Sequence, residues 1–153
     1  VQRKIKNSIK FYEKKNCLVS HTSYQVIDKL KSKKKIRIAK NFNNLEELLY
    51  SCDIGLSTVI MNKKVFSKSI SFPNLKTKED FVLWLKLLNK KIPIIGFNKK
   101  LSYWRKLDDS LSSSTIQKLF DGFKVYHVHM NYGIIRSFFY LFYLSINFLK
   151  KNT

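Results

Sequence analysis

Two stretches hold the side chains best suited to chemistry. One is Glu79-Asp80, at the head of the apolar run from Phe81 to Leu88; the other is Tyr103-Trp104-Arg105 further along. A carboxylate held rigidly at the start of a helix can take a proton from an attacking hydroxyl, which is general-base work. Thr77 and Asp80 also satisfy the Ser/Thr-x-x-Asp/Glu capping pattern, in which hydroxyl and acid bond free amides of the first turn. The local sequence leaves both roles open. Arg105 follows two large rings. It is either a surface guanidinium stacked on Trp104 or a cation that stabilises charge developing on a leaving diphosphate. Lys106 beside it is placed to share that second role.

Other polar groups give weaker signals. The Ser57-Thr58 pair and the Ser110, Ser112, Ser113 and Ser114 cluster are hydroxyls in an expected strand and turn, where such groups usually bond backbone. His127 and His129 lie two apart on an expected helix and so face different directions; with His21 they make no metal set. There is no nucleophile elbow, P-loop or Gly-rich dinucleotide turn.

The elements that must position these residues follow from periodicity and punctuation. Residues 2–15 predict a helix with Ile5, Ile9 and Tyr12 on one face, and residues 17–27 a strand. The lysine run at 31–35 predicts a solvated loop tip, with a short strand returning at 36–38. Asn44 is placed to cap a helix through Tyr50, with Glu46 and Glu47 in its first turn. Residues 54–61 predict a buried strand. Phe72-Pro73-Asn74 breaks the chain before an amphipathic helix over about 78–90, with Phe81, Leu85 and Leu88 on one face and Lys86 and Lys90 on another. Residues 93–97 and 101–105 predict two separate strands, and a Ser-rich turn leads into a helix over about 115–131. The fold class expected is α/β, a mixed sheet with helical cover.

The last apolar stretch, 134–149, is interrupted by Arg136, Ser137, Ser145 and Asn147 and is too short and polar to span a bilayer. Its aromatic content and closing Lys150-Lys151 suit a helix lying in a membrane interface; packing against the domain is the alternative. Residues 1–131 therefore form the main unit and 132–153 an amphipathic, basic-aromatic terminal helix.

At 44% hydrophobic and 14% aromatic, the 153 residues suffice for an ordered core. The net charge of +20 comes from 26 Lys and four Arg against ten acids. Nucleic-acid readers favour Arg for its bidentate fork, so this balance argues against nucleic acid. It points to anionic lipid, where each basic residue contributes about 1 kcal/mol. Cys17 and Cys52 have no metal-ligand spacing and no disulfide framework, so buried free thiols in a reducing cytoplasm are expected.

The order of segments is informative. It runs Val-Ser-His-Thr-Ser-Tyr at 19–24, Gly-Leu-Ser-Thr-Val-Ile at 55–60, Phe-Pro-Asn at 72–74, and Lys-Glu-Asp-Phe-Val-Leu-Trp-Leu-Lys-Leu-Leu at 78–88. Gly-Phe-Asn at 96–98, Leu-Ser-Tyr-Trp-Arg at 101–105 and Ser-Leu-Ser-Ser at 110–113 complete it. This resembles the C-terminal, acceptor-side half of bacterial family 2 glycosyltransferases of the GT-A fold, which build surface polysaccharides. The similarity covers nearly the whole chain, and the Glu-Asp helix and Tyr-Trp-Arg segment are its most specific marks.

By motif, the resemblance implies that Asp80 is the catalytic base with Glu79 as its supporting neighbour. It sets Arg105, with Trp104 and Lys106, near the donor diphosphate, and Ser57 and Thr58 toward the acceptor. It implies a nucleotide-sugar donor and a glycan or lipid-linked acceptor. It also implies that a nucleotide-binding half precedes Val1, its Asp-x-Asp motif holding a divalent metal (Mg or Mn) whose ligands are not in this chain; alone, the chain is expected to be inactive. Family members often carry a His shortly after the Arg, where this chain has Lys-Leu-Asp-Asp. The expected location is cytoplasmic, peripheral on the inner face of the membrane. The rival readings are a non-catalytic basic membrane-surface module and, further behind, a nucleic-acid binder.

Overall fold

The computed structural model describes residues 2–27, 33–105 and 114–152. Its element order is α1 (Gln2–Lys15), β1 (Val19–Ile27), β2 (Lys33–Arg37), α2 (Glu46–Leu49), β3 (Val59–Met61), α3 (Glu79–Asn89), β4 (Ile95–Arg105), α4 (Thr115–Lys124) and α5 (Ile134–Asn152). It is an α/β structure with a mixed four-stranded sheet.

β1 is the axis of that sheet. β4 runs parallel to it from Ser20 to Ile27 and so occupies one whole edge. The other edge is shared end to end: β3 pairs antiparallel with Val19–His21 and β2 with Tyr24–Ile27. Enclosed on both edges, β1 is buried although it carries Ser20, His21, Thr22, Ser23 and Gln25. Several of these groups are bonded locally, since a buried polar group without a partner is unfavourable. The Ser23 hydroxyl donates to Asn98 Oδ1 (3.0 Å) and accepts from the Ala39 amide (2.9 Å), and His21 Nε2 lies 2.9 Å from the Lys40 carbonyl oxygen.

The two strands expected over 93–105 are one. β4 is continuous, and the residues between the expected pair are absorbed as bulges opposite Thr22–Ser23 and Ser23–Tyr24. The expected strand over 54–61 is shortened. The Gly55 carbonyl accepts both the Thr58 amide (2.8 Å) and the Thr58 hydroxyl (2.7 Å), closing a 3-10 turn over Leu56–Thr58 and leaving only Val59–Met61 extended. α1 forms as expected, but Ile5 and Ile9 are exposed; the helix packs through buried Ser8 and through Phe11, which stacks on Phe97 at 4.3 Å. The lysine run is divided, with Lys33–Lys35 in β2 and residues 31–32 outside the described residues. Asn44 accepts the Glu47 amide at 3.2 Å, the capping contact expected of it.

α3 was expected to be amphipathic and is instead enclosed almost all round. Phe81, Val82, Leu83, Trp84, Leu85, Leu87 and Leu88 are all buried, Trp84 completely. Phe42, Leu48, Leu49, Ile54, Ile94, Val125, Tyr126 and Tyr140 are further members of the same core. The helix ends in a Schellman arrangement: Ile92 N donates to the Leu87 carbonyl (3.0 Å) and Lys91 N to that of Leu88 (2.9 Å), with Lys91 left-handed at φ 58. Lys91→Gly should therefore raise stability by about 0.5–1 kcal/mol in urea unfolding, because glycine takes that conformation without strain.

Gly96 is required for another reason. A Cβ there would lie 2.6 Å from the Lys40 carbonyl carbon and 2.7 Å from its amide nitrogen, while the Gly96 amide donates to Asn41 Oδ1 at 2.9 Å. The 39–42 segment thus lies directly on β4. Gly96→Ala should destabilise the fold by about 2–3 kcal/mol in the same measurement, since the obstructing atoms are backbone.

Candidate functional site

The head of α3 is assembled by residues distant in sequence. Thr77 does not close a capping box. Its amide and hydroxyl both donate to Asp121 Oδ2 of α4, each at 2.9 Å, and Gln117 Nε2 donates to the other carboxylate oxygen at 2.9 Å. Burial alone would raise the Asp121 carboxyl, but these hydrogen bonds hold it below its usual value. Lys78 follows in a left-handed conformation (φ 63) at the N-cap position, without a side-chain cap. Its side chain crosses Gly122, where a Cβ would stand 3.3 Å from Lys78 Cε and 2.7 Å from Leu141 Cδ1. The Asp121-Gly122 pair therefore anchors the backbone before α3 and makes room for the lysine. Strained backbone held in place by its surroundings is a frequent property of functional sites.

Released from a capping box, the Asp80 carboxylate accepts the next amide, Phe81 N, at 2.7 Å. Its pKa is pushed up to about 6, first by burial and then by the like charge of Glu79, against the Phe81 hydrogen bond and Lys78. Lys78 is itself shifted down, by burial above all. Asp80 shares its surroundings with Cys52 and Tyr24. Burial raises the Cys52 thiol to about 12, with the Asp80 charge next in effect. Burial likewise raises the Tyr24 phenol to about 12, with the Asp53 carboxylate next. Cys17 and Cys52 are free thiols, as expected, but each is half-buried rather than enclosed.

Asp53 is the carboxylate that the sequence did not single out. Lys151 Nζ of α5 lies 2.5 Å from it and Arg37 Nη1 of β2 lies 3.8 Å away. Lys151 also donates to the Ser51 hydroxyl, and Arg37 donates to the Lys151 carbonyl at 3.2 Å. Three distant segments meet at this carboxylate, and no local pattern announces it. The two nearby acids thus differ: Asp53 is charge-compensated, whereas no ion pair to Asp80 is formed among the described residues.

The remaining expected site residues are more dispersed. Arg105 and Trp104 are exposed at the carboxyl end of β4, where Arg105 sits opposite Ile27 of β1. Among the described residues no hydrogen bond or ion pair links Arg105 to Asp80. Glu79 is half-buried beside Asp80. Ser57 is exposed and its carbonyl accepts Lys4 Nζ at 2.7 Å, while Thr58 is buried with its hydroxyl turned to Gly55. Lys106, Asp108, Asp109 and the serines at 110, 112 and 113 lie outside the described residues; Ser114 caps α4, accepting Gln117 N at 3.3 Å. His127 and His129 fall in a π-helical turn, Val125–His129. No group of three or more His, Cys, Asp or Glu among the described residues is placed to hold a metal ion, so the divalent cation implied by the resemblance finds no donor set there. An open concavity of ≈ 730 Å³ lies not at Asp80 but at the start of α5.

Comparison with curated proteins finds similarity to glycosyltransferases. The chain is 31% identical over 160 residues to the Escherichia coli UDP-Glc:alpha-D-GlcNAc-diphosphoundecaprenol beta-1,3-glucosyltransferase WfaP, matching 99% of this chain and 59% of that protein. Its homologues are glycosyltransferases. The putative teichuronic acid biosynthesis glycosyltransferase TuaG of Bacillus subtilis is 27% identical over 113 residues, 72% of this chain and 44% of that one. An uncharacterized glycosyltransferase of Rickettsia felis is 32% identical over 102 residues, 65% of this chain and 17% of its own length. The chain therefore spans only part of the transferases it matches. No protein-family model matches it, and neither does any solved structure.

The raised Asp80 pKa has a consequence for stability. The unfolded chain ionises this group near its ordinary value of 3.8, the folded chain only near 6. Stability therefore falls as pH rises from about 4 to about 6, and the deficit persists above that. Asp80→Asn, which keeps an oxygen acceptor for Phe81 N, should be more stable than the parent by about 2–3 kcal/mol at neutral pH. The difference should vanish below about pH 4 in chemical unfolding followed across pH.

Proposed function

We propose that this chain is the acceptor-side, base-bearing part of an inverting family 2 glycosyltransferase of the GT-A fold, with Asp80 as the general base. The observation that carries the reading is the carboxylate at the head of the enclosed helix α3, with a pKa of about 6. Such a group is ionised at neutral pH yet a better proton acceptor than an ordinary aspartate. The acceptor's O–H proton passes to Asp80 as its oxygen bonds the anomeric carbon of a nucleotide-sugar. The bond from that carbon to the diphosphate oxygen breaks, and the diphosphate leaves with the electron pair. Glu79 sustains the basicity of Asp80. In this reading Arg105, with Trp104 and Lys106, stabilises the leaving diphosphate, and Ser57 and Thr58 serve the acceptor side.

The relatives' names support a polyprenyl-diphosphate-linked or growing glycan acceptor and a role in surface-polysaccharide synthesis. That fits a protein working at the cytoplasmic face of a membrane. The reading includes a divalent metal, held in the full-length enzyme by residues other than those described.

The test uses the full-length protein with a nucleotide-sugar and a lipid-linked acceptor. Asp80→Asn should lower kcat by about 10²–10⁴-fold while leaving the donor KM nearly unchanged, as loss of a general base predicts. The acid limb of the parent's kcat/KM profile should fall near pH 6. Unchanged turnover in Asp80→Asn would return this residue to a structural role.

A further inference from the structure

α5 has two faces of different fate. Ser137, Tyr140 and Leu144 are buried. Tyr140 stacks on Tyr126 at 5.4 Å, and the Tyr126 hydroxyl donates to the Leu49 carbonyl at 2.6 Å. Asn147 Nδ2 donates to the Tyr50 carbonyl at 3.0 Å, and Lys151 reaches Asp53 near the end of the helix. The packing expected as the alternative for this tail is therefore present, and it immobilises the helix from one side.

The opposite arc is apolar throughout and faces outward. Ile135 is 87% exposed, and Phe138, Phe139, Phe142 and Leu149 are each at least half exposed. α4 adds a second outward stripe, Ile116 (73% exposed), Leu119 and Phe120. The stripes are joined where Phe123 of α4 meets Phe138 of α5, with ring centroids 4.8 Å apart. The open concavity lined by Gly133, Ile134, Ile135, Arg136 and Phe139 lies on this surface. An apolar area of this continuity marks an interaction site rather than ordinary surface.

Charge identifies the occupant. Residues 115–152 contain one acidic side chain, Asp121, and it is 1% exposed, its carboxylate turned inward to Thr77 and Gln117. The polar groups bordering the apolar surface are cations: Lys118, whose ammonium lies 5.5 Å from the Phe148 ring centre, exposed Lys124 and Lys150, and Arg136 stacked on Tyr132 at 4.1 Å. No helix among the described residues is long and apolar enough to cross a membrane. Aromatic rings set among cations, with no exposed carboxylate on either helix, match an anionic bilayer whose headgroups pair with the cations while the rings enter the acyl boundary. We propose that α4 and α5 together form one in-plane docking surface for an anionic lipid membrane. The inference does not depend on Asp80 or on transferase chemistry.

The test is co-sedimentation of the full-length protein with vesicles of phosphatidylcholine alone or mixed with phosphatidylglycerol. Binding to the mixed vesicles is expected, with a fraction persisting at high salt because the rings contribute alongside charge. The double substitution Ile135→Ser and Phe142→Ser alters two outward residues and should leave thermal unfolding unchanged while weakening vesicle binding about tenfold. A Phe142→Trp variant should show a blue-shifted emission on mixed vesicles. Absence of binding, or equal binding by parent and double variant, would overturn the proposal. So would a dimer of parent protein that the double substitution dissolves, since that would make the surface a contact between copies.

Discussion

A helix that is apolar on nearly every side has to be enclosed on nearly every side, and α3 imposes that requirement on the rest of the chain. Burial of Trp84, Leu83, Leu85 and Leu87 at 0% exposure needs Phe42, Leu48 and Leu49 together with Val125, Tyr126 and Tyr140. Those partners come from segments before and after the helix, so none of them can be in place until the chain has closed around it. The enclosure has an electrostatic result. Glu79 and Asp80 stand where the apolar helix begins, and desolvation there makes Asp80 a stronger base than an exposed aspartate.

Two other carboxylates are handled differently, and the contrast defines the site. Asp121 is deeply buried but accepts three hydrogen bonds, from the Thr77 amide, the Thr77 hydroxyl and Gln117 Nε2, which keep it ionised and make it a structural anchor. Asp53 is compensated by Lys151 and Arg37 and ties α5 to β2. Asp80 has the Phe81 amide, with Lys78 nearby and Glu79 opposing. Three acids of similar intrinsic strength thus acquire separate roles through what surrounds them. The same arrangement connects the terminal helix to the neighbourhood of Asp80, because Lys151 meets Asp53 while the outer arc of α5 remains uncovered.

Much of the element order was legible in the sequence. α1, β1 and the capped turn after Asn44 fall where periodicity and capping residues put them, since these are decided within a few residues; α3 also starts where its apolar period begins, without the Thr77 cap. The misjudged places each involve a partner far along the chain. The Thr77 hydroxyl went to Asp121 rather than to its own helix, which no window around Thr77 shows. The break expected between residues 97 and 101 became bulges in a single strand, because β1 offers one long parallel edge and Ser23 bonds Asn98 across it. The outward arc of α5 follows its sequence period, but its continuity with α4 rests on the Phe123–Phe138 contact.

By itself, the sequence determined the α/β class, the positions of most helices and strands, the acid at the head of the Glu-Asp helix, and the cationic, aromatic character of the terminal segment. These depend on local spacing and composition, which the chain carries before it folds. The tertiary structure decided that α3 is enclosed rather than half-exposed and that Asp80 is consequently raised while Asp53 and Asp121 are held by partners. It also decided which side of α5 is covered. Each of those outcomes turns on desolvation and on contacts between residues many positions apart, and such terms exist only once the chain has closed on itself.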